Sequence, residues 1–203
     1  MKKTKMRRIV SRSLALVCIV VLFVACIEEQ ADSEAEDVLS GDLRSQMFSL
    51  GDVVYTLPVL FSELEANGWS FCDTRNDDCF VTYMLEPGER SFWHLTNGEL
   101  KVEKTFVNLS EDVLPVSESY IVEAVTHFRW DTAPIIFPGN IMLGSAYEDV
   151  IAAYGEPGRR RVNGEPLPSL DLFYSMGHFS AWITIDAETG LVIVASMNYW
   201  GER

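Results

Sequence analysis

Apolar residues recur at helical spacing in two places. Leu57, Leu60, Phe61 and Leu64 fall at i, i+3, i+4 and i+7, and Tyr147, Val150, Ile151 and Tyr154 repeat the interval. Each set predicts a helix of about ten residues with one apolar face. Thr56 stands where a cap is needed, Pro58 suits a first turn and Gly68 ends the first helix. For the second, Ser145 and Glu148 have capping-box spacing, Gly155 ends the helix and Pro157 prevents its continuation. Helices this short are not stable alone, so each must lie on other structure.

That structure is predicted to be antiparallel sheet. After the first helix, strands are expected over 79–85, 90–96, 99–107 and 120–128, with Asn97-Gly98 as a hairpin turn. After the second they are expected over 170–174, 179–186 and 191–199, with 187–190 turning the last pair. In 102–107 the alternation sets Val102, Lys104 and Phe106 against Glu103, Thr105 and Val107. A helix followed by a run of hairpins, twice, gives an α+β chain. It is read as two small repeats, each a short helix packed on an antiparallel sheet: residues 47–130 and 131–203. Residues 129–144 join them, with Ile135-Ile136-Phe137 between prolines.

The first 25 residues differ in kind. Six bases and no acid precede twelve apolar residues, Leu14 to Ala25, and the run stops at Cys26. A basic start, a short apolar core and a small residue before the break mark a secretory signal peptide over 1–25. The apolar run is short for a membrane span, which needs about 20 residues. Cysteine at the break resembles a bacterial lipobox, although Phe23 stands where Leu is typical. The resemblance implies that Cys26 carries lipid (palmitate among the acyl chains) and holds the protein on the membrane, facing outside the cytoplasm. Residues 26–46 then form an acidic tether, expected to be disordered.

Charge sharpens the choice of partner. The chain holds 16 bases and 30 acids; with the signal removed, 10 bases remain and the net charge is −20. Such a surface repels phosphate backbones, so nucleic acid is excluded as a partner. The same charge holds the body off an anionic leaflet.

The second half carries a further likeness. Gly144-Ser145 entering a short helix, Tyr154-Gly155-Glu156-Pro157 ending it, then Phe173-Tyr174 and two strands resemble the SmpA/OmlA small lipoproteins and the tandem-repeat β-lactamase-inhibitor protein. Residues 139–200 cover the likeness; the first half shares only the helix spacing, Gly68-Trp69 and the later strands. The resemblance implies a protein-binding module that works through its sheets and loops.

Cys72 and Cys79 bracket a polar loop. An extracytoplasmic address permits a disulfide between them. Two cysteines with six residues between do not match zinc spacing, and Asp73, Asp77 and Asp78 lack the glycine and closing glutamate of a calcium loop. No metal and no cofactor is expected. Motifs of serine hydrolases, zincins, P-loops and dinucleotide sites are absent, and His94, His127 and His178 lie apart in sequence, so no enzyme is predicted.

Aromatic and basic residues supply the candidates for binding. Neighbours on a strand face opposite ways, so one of Phe92 and Trp93, and one of Tyr199 and Trp200, must leave the core. Trp93 and Trp200 are the candidates, because buried indoles dominate binding hot spots. Arg159, Arg160 and Arg161 form the basic cluster of an acidic body and open a loop that runs to Pro168. Three readings follow. The first is an envelope-assembly or binding module acting on a protein partner. The second is an inhibitor or immunity-type protein that inserts the 159–168 loop. The third, a cell-wall enzyme, has no titratable cluster behind it.

Overall fold

A computed structural model describes residues 39–72, 83–129 and 131–201. The signal segment, Cys26, Cys79 and Trp130 lie outside the described residues. The described part is mostly antiparallel sheet with two α-helices, α1 (Phe61–Glu65) and α2 (Tyr147–Tyr154). The chain enters the fold earlier than a tether reaching residue 46 implies. Leu43–Ser45 makes a 3-10 turn, capped by Asp42, and Leu43 is buried.

Strands β1 (Met47–Leu50) and β2 (Val53–Thr56) form a hairpin, and β11 (Ile135–Ile136) adds to the far side of β1. The first large sheet has the order β3 (Val59–Leu60), β9 (Tyr120–Ile121), β7 (Leu100–Val107), β6 (Arg90–Asn97), β4 (Ser70–Cys72). The second has the order β10 (Glu123–His127), β15 (Val192–Tyr199), β14 (Phe179–Asp186), β13 (Ser169–Met176), β12 (Arg159–Asn163). A short pair, β5 (Met84–Leu85) and β8 (Leu114–Pro115), lies apart from them.

Val122 links the two large sheets. Its N–H donates to the Thr105 carbonyl of β7 at 3.1 Å, and its carbonyl accepts the Tyr199 N–H of β15 at 2.8 Å. Past this point β7 and β10 fork, and Asp131 fills the fork. One carboxylate oxygen accepts the Glu103 N–H at 3.1 Å and the other the His127 N–H at 2.8 Å. Lys104 lies beside the fork, fully buried, and donates to the Val125 carbonyl at 3.2 Å.

The division of the chain at residue 130 therefore does not part the sheets. β10 precedes it and pairs along β15; β11 follows it and pairs with β1. The described residues form one compact unit over one continuous apolar cluster, from Phe48 through Phe61 and Phe106 to Leu172 and Met197. Phe61 of α1 sits 4.2 Å from Phe71 and 5.8 Å from Phe106 between ring centroids, which seats that helix on the first sheet. On α2, Val150 is buried and Tyr154 meets Tyr174 of the second sheet edge-on at 5.6 Å.

Both helices depart from their sequence expectations in detail. α1 has five residues, not about ten: Thr56 belongs to β2, and Val59 and Leu60 pair with Ile121 and Tyr120. Strand hydrogen bonds to β9 claim the backbone that a longer helix would use. At α2 the N-cap is Ala146. Asp149 accepts its N–H at 3.2 Å, while Ser145 turns back to accept the Met142 N–H at 3.0 Å. The β6–β7 turn is also displaced by one residue. Asn97 pairs with Leu100, so the turn residues are Gly98, at φ 60°, and Glu99. β6, β7, β13, β14 and β15 lie within one to two residues of their expected limits. The strand expected over 120–128 is broken at Val122 into β9 and β10, which join different sheets. Of the strand expected over 79–85 only 83–85 are described, with β5 at Met84–Leu85.

Candidate functional site

Period-two alternation divides the second sheet into two faces. Leu172, Tyr174, Ala181, Ile183, Ala195 and Met197 enter the core. Phe173, Trp182, Ser180 and Asn198 occupy the opposite face, because Phe173 pairs with Trp182 and Ser180 with Asn198 in the ladder. Residues of β6, β7 and β10 continue this face, which is open. A cleft of about 840 Å³ lies over it, lined by residues that include Arg90, Phe92, Glu123, Arg159, Phe173, Trp182 and Trp200. That size suits a bound side chain cluster or a small ligand.

The aromatic lining is ordered by contacts within the protein. Phe173 and Trp182 stack with 6.2 Å between centroids and 7° between planes. Arg159 and Arg161 lie over Phe173, their guanidinium carbons 5.6 and 5.8 Å from its centroid. Arg90 lies 5.2 Å over Trp200, whose indole N–H donates to Ser180 Oγ at 2.9 Å. Phe92 is 67 % exposed and Trp200 52 %. The cleft's one carboxylate among the described residues is Glu123, which accepts the hydroxyls of Thr105 and Ser196. Among the described residues no histidine or cysteine lines the cleft.

Arg159, Arg160 and Arg161 are not in a loop. They lie in β12, the edge strand of the second sheet, and only Gly164 onward turns toward Pro168. Alternation sends Arg159 and Arg161 to the cleft side and Arg160 to the other, where it pairs with Glu156. Charged side chains on an edge strand also discourage pairing with further strands. Arg161 holds the buried Asp171 through two nitrogens, at 2.6 and 2.9 Å, and Asn163 and Thr184 each donate to the same carboxylate at 2.9 Å. Burial alone would push the Asp171 carboxyl up; the hydrogen bonds from Asn163, Arg161 and Thr184 outweigh it and hold the group below its ordinary value.

The other candidates divide. Trp200 lines the cleft, as its exposure allows, and Tyr199 packs against Phe179 at 5.0 Å. Trp93 does not line it. It lies partly buried on the core side, against Phe71 at 6.0 Å and Tyr83 at 5.7 Å, and its neighbour Phe92 is the exposed ring. The alternation carried the signal for this: Phe92 shares its face with the polar Arg90, His94 and Thr96, whereas Trp93 shares its face with Leu95. Arg90, Phe173 and Trp182 are further cleft residues that composition does not single out; they come from three strands, β6 of the first sheet and β13 and β14 of the second. Cys72 ends β4, but Cys79 and any bond between them lie outside the described residues, as does Cys26. Among the described residues no group of three His, Cys, Asp or Glu side chains is placed to hold a metal ion.

No protein-family model matches the chain, and neither a curated protein nor a solved structure matches it.

Proposed function

We propose that the chain is a bacterial lipoprotein, anchored through Cys26 on the outer side of the cytoplasmic boundary, that binds a protein partner in the aromatic cleft. The carrying observation is the cleft itself. Exposed rings stand at Phe92 in β6, Trp182 in β14 and Trp200 just past β15, with one carboxylate and no histidine or cysteine lining the cleft among the described residues. Solvent-facing tryptophans of this kind gain free energy when a partner covers them. In this reading the chain is not an enzyme, needs no cofactor and does not contact nucleic acid.

The same reading takes the fold as two helix-on-sheet repeats, similar to the SmpA/OmlA lipoproteins and the β-lactamase-inhibitor protein. Its support is the order of strands. After α1 the first sheet runs β4, β6, β7, β9 in chain order, and after α2 the second runs β12, β13, β14, β15. Each sheet then gains a fifth strand from elsewhere in the chain, β3 in the first and β10 in the second.

The test pairs location with capture. Mass spectrometry of the full chain should find acyl chains on Cys26, and Cys26→Ser should leave the membrane fraction. The lipidated chain should then retain an envelope protein that Trp182→Ala fails to retain at an unchanged thermal midpoint. Lipid absent from Cys26 contradicts the anchor; equal retention by Trp182→Ala contradicts the cleft.

A further inference from the structure

Two arginines in the cleft have no acidic partner among the described residues, in a protein where acids outnumber bases 30 to 16. The residues that follow Arg159 show how readily such pairs form: Arg160 pairs with Glu156 and Arg161 with Asp171. Arg90 and Arg159 pair with no carboxylate among the described residues; their guanidinium carbons instead lie over Trp200 and Phe173, 5.2 and 5.6 Å from the ring centroids. An arginine stacked on a ring is held in place by the ring while its in-plane N–H groups stay free. Those groups match a carboxylate with two parallel hydrogen bonds.

The stacking also argues against a sugar platform. Carbohydrate needs open ring faces, and here Arg90 covers a face of Trp200, two arginines cover Phe173, and Phe173 and Trp182 cover each other. Of the four rings, Phe92 has no ring or guanidinium stacked on it among the described residues. What the cleft offers is apolar edge and depth between two anchored cations.

We infer that the cleft takes a short protein segment in which a bulky apolar side chain is flanked by carboxylates, the apolar group entering between Phe92 and Trp182 and the carboxylates meeting Arg90 and Arg159. This rests on the reading of the cleft as a protein-binding site and adds the chemistry of the partner. The net negative charge of the body limits the segment to few acids, because every carboxylate outside the reach of the two arginines is repelled. Charge complementarity at the two arginines then selects the partner, and the rings supply the burial.

The experiment uses the full chain in detergent micelles and three synthetic peptides, followed by isothermal titration and tryptophan fluorescence. The first is acetyl-Glu-Leu-Phe-Asp-amide, the second has Lys for Glu and Asp, and the third has Ser for Leu and Phe. The first should bind and quench or shift the emission of Trp182 and Trp200, and the other two should bind at least tenfold more weakly. Arg90→Gln with Arg159→Gln should weaken the first peptide at least tenfold, while Arg129→Gln leaves it unchanged. Circular dichroism and thermal midpoint of the double variant keep a folding defect apart from a binding defect. Equal or tighter binding of the lysine peptide overturns the inference, as does binding of the first peptide that ignores both arginines. A chito-oligosaccharide that binds in the cleft more tightly than the peptide overturns it in favour of a glycan. Should an envelope partner depend on Trp182 and Phe92 but not on Arg90 and Arg159, the cleft stands as a protein-binding site and the acidic-segment inference fails.

Discussion

The rings of Phe173 and Trp182 lie parallel within 7°, on adjacent strands and on the face of the sheet that the core does not use. Cross-strand aromatic pairs of this kind stabilise a sheet by roughly 0.2–1 kcal/mol. Trp182→Ala should therefore cost little stability, at most about 1 kcal/mol by chemical denaturation. Ile183→Ala, one residue on and buried at 2 % exposure, should cost roughly 2–5 kcal/mol. A Trp182 variant as unstable as the Ile183 variant would make the ring a structural element.

Asp171 joins the edge strand to the sheet. Its carboxylate accepts from Arg161 and Asn163 of β12 and from Thr184 of β14. Asp171→Ala should cost roughly 1–3 kcal/mol, and hydrogen exchange should quicken first in 159–163. Because its folded value lies below the unfolded one, Asp171 stabilises the fold above the ordinary carboxylate range. That contribution should fade as pH falls through its folded value, and the Asp171→Ala variant should lack this part of the acid sensitivity.

Lys104 predicts a slope of the same sign on the alkaline side. Burial pushes its ammonium down to about 8, against the raising influence of Asp131, Glu123 and Glu103. Between about pH 8 and the unfolded lysine value near 10.5 the unfolded chain binds more protons, so stability should rise with pH. Tyr174, raised by burial to about 12, and Tyr154, also raised by burial, act against this above pH 10, where the unfolded tyrosines ionise first. Denaturation midpoints should thus climb from pH 8 to 10 and fall beyond. In Lys104→Met the climb should be missing.

Gly139 supports α2 by close approach. It has φ 70°, and a β-carbon there would stand 2.8 Å from the Ala153 β-carbon. The left-handed conformation alone costs a residue with a side chain roughly 1–2 kcal/mol, and the clash adds to it. Gly139→Ala should lower the thermal midpoint, and Ala153→Gly in the same chain should restore part of the loss. An unchanged midpoint would show that the 138–140 turn yields freely.

The long strands were legible because they alternate. β14 and β15 each set apolar residues at every second position over eight residues, β6 does so only at Trp93 and Leu95 and β7 at Leu100, Val102 and Phe106 around Lys104, and turn residues mark their ends. β12 was not, because Arg-Arg-Arg-Val-Asn has no apolar alternation; pairing along one side with β13 makes it a strand, and its other side faces no strand. α1 was read too long for a related reason. The apolar spacing of Leu57, Leu60, Phe61 and Leu64 reflects burial of Leu57, Phe61 and Leu64, and burial is shared by a residue in the bend between β2 and β3 and by helix residues. The cleft was half legible. That Phe92 or Trp93, and Tyr199 or Trp200, must leave the core follows from one strand alone. That Arg90 reaches Trp200, and Arg159 reaches Phe173, depends on the sheet order, which no local pattern encodes.

Partner contact in the cleft is tested most directly by site-specific photo-crosslinking in the native envelope. A photoreactive residue would replace Phe92 or Trp182 in the cleft, and Glu148 on the exposed side of α2. Both cleft positions should yield the same crosslinked protein and Glu148 none. A crosslink from Glu148 with none from Phe92 or Trp182 would contradict the account.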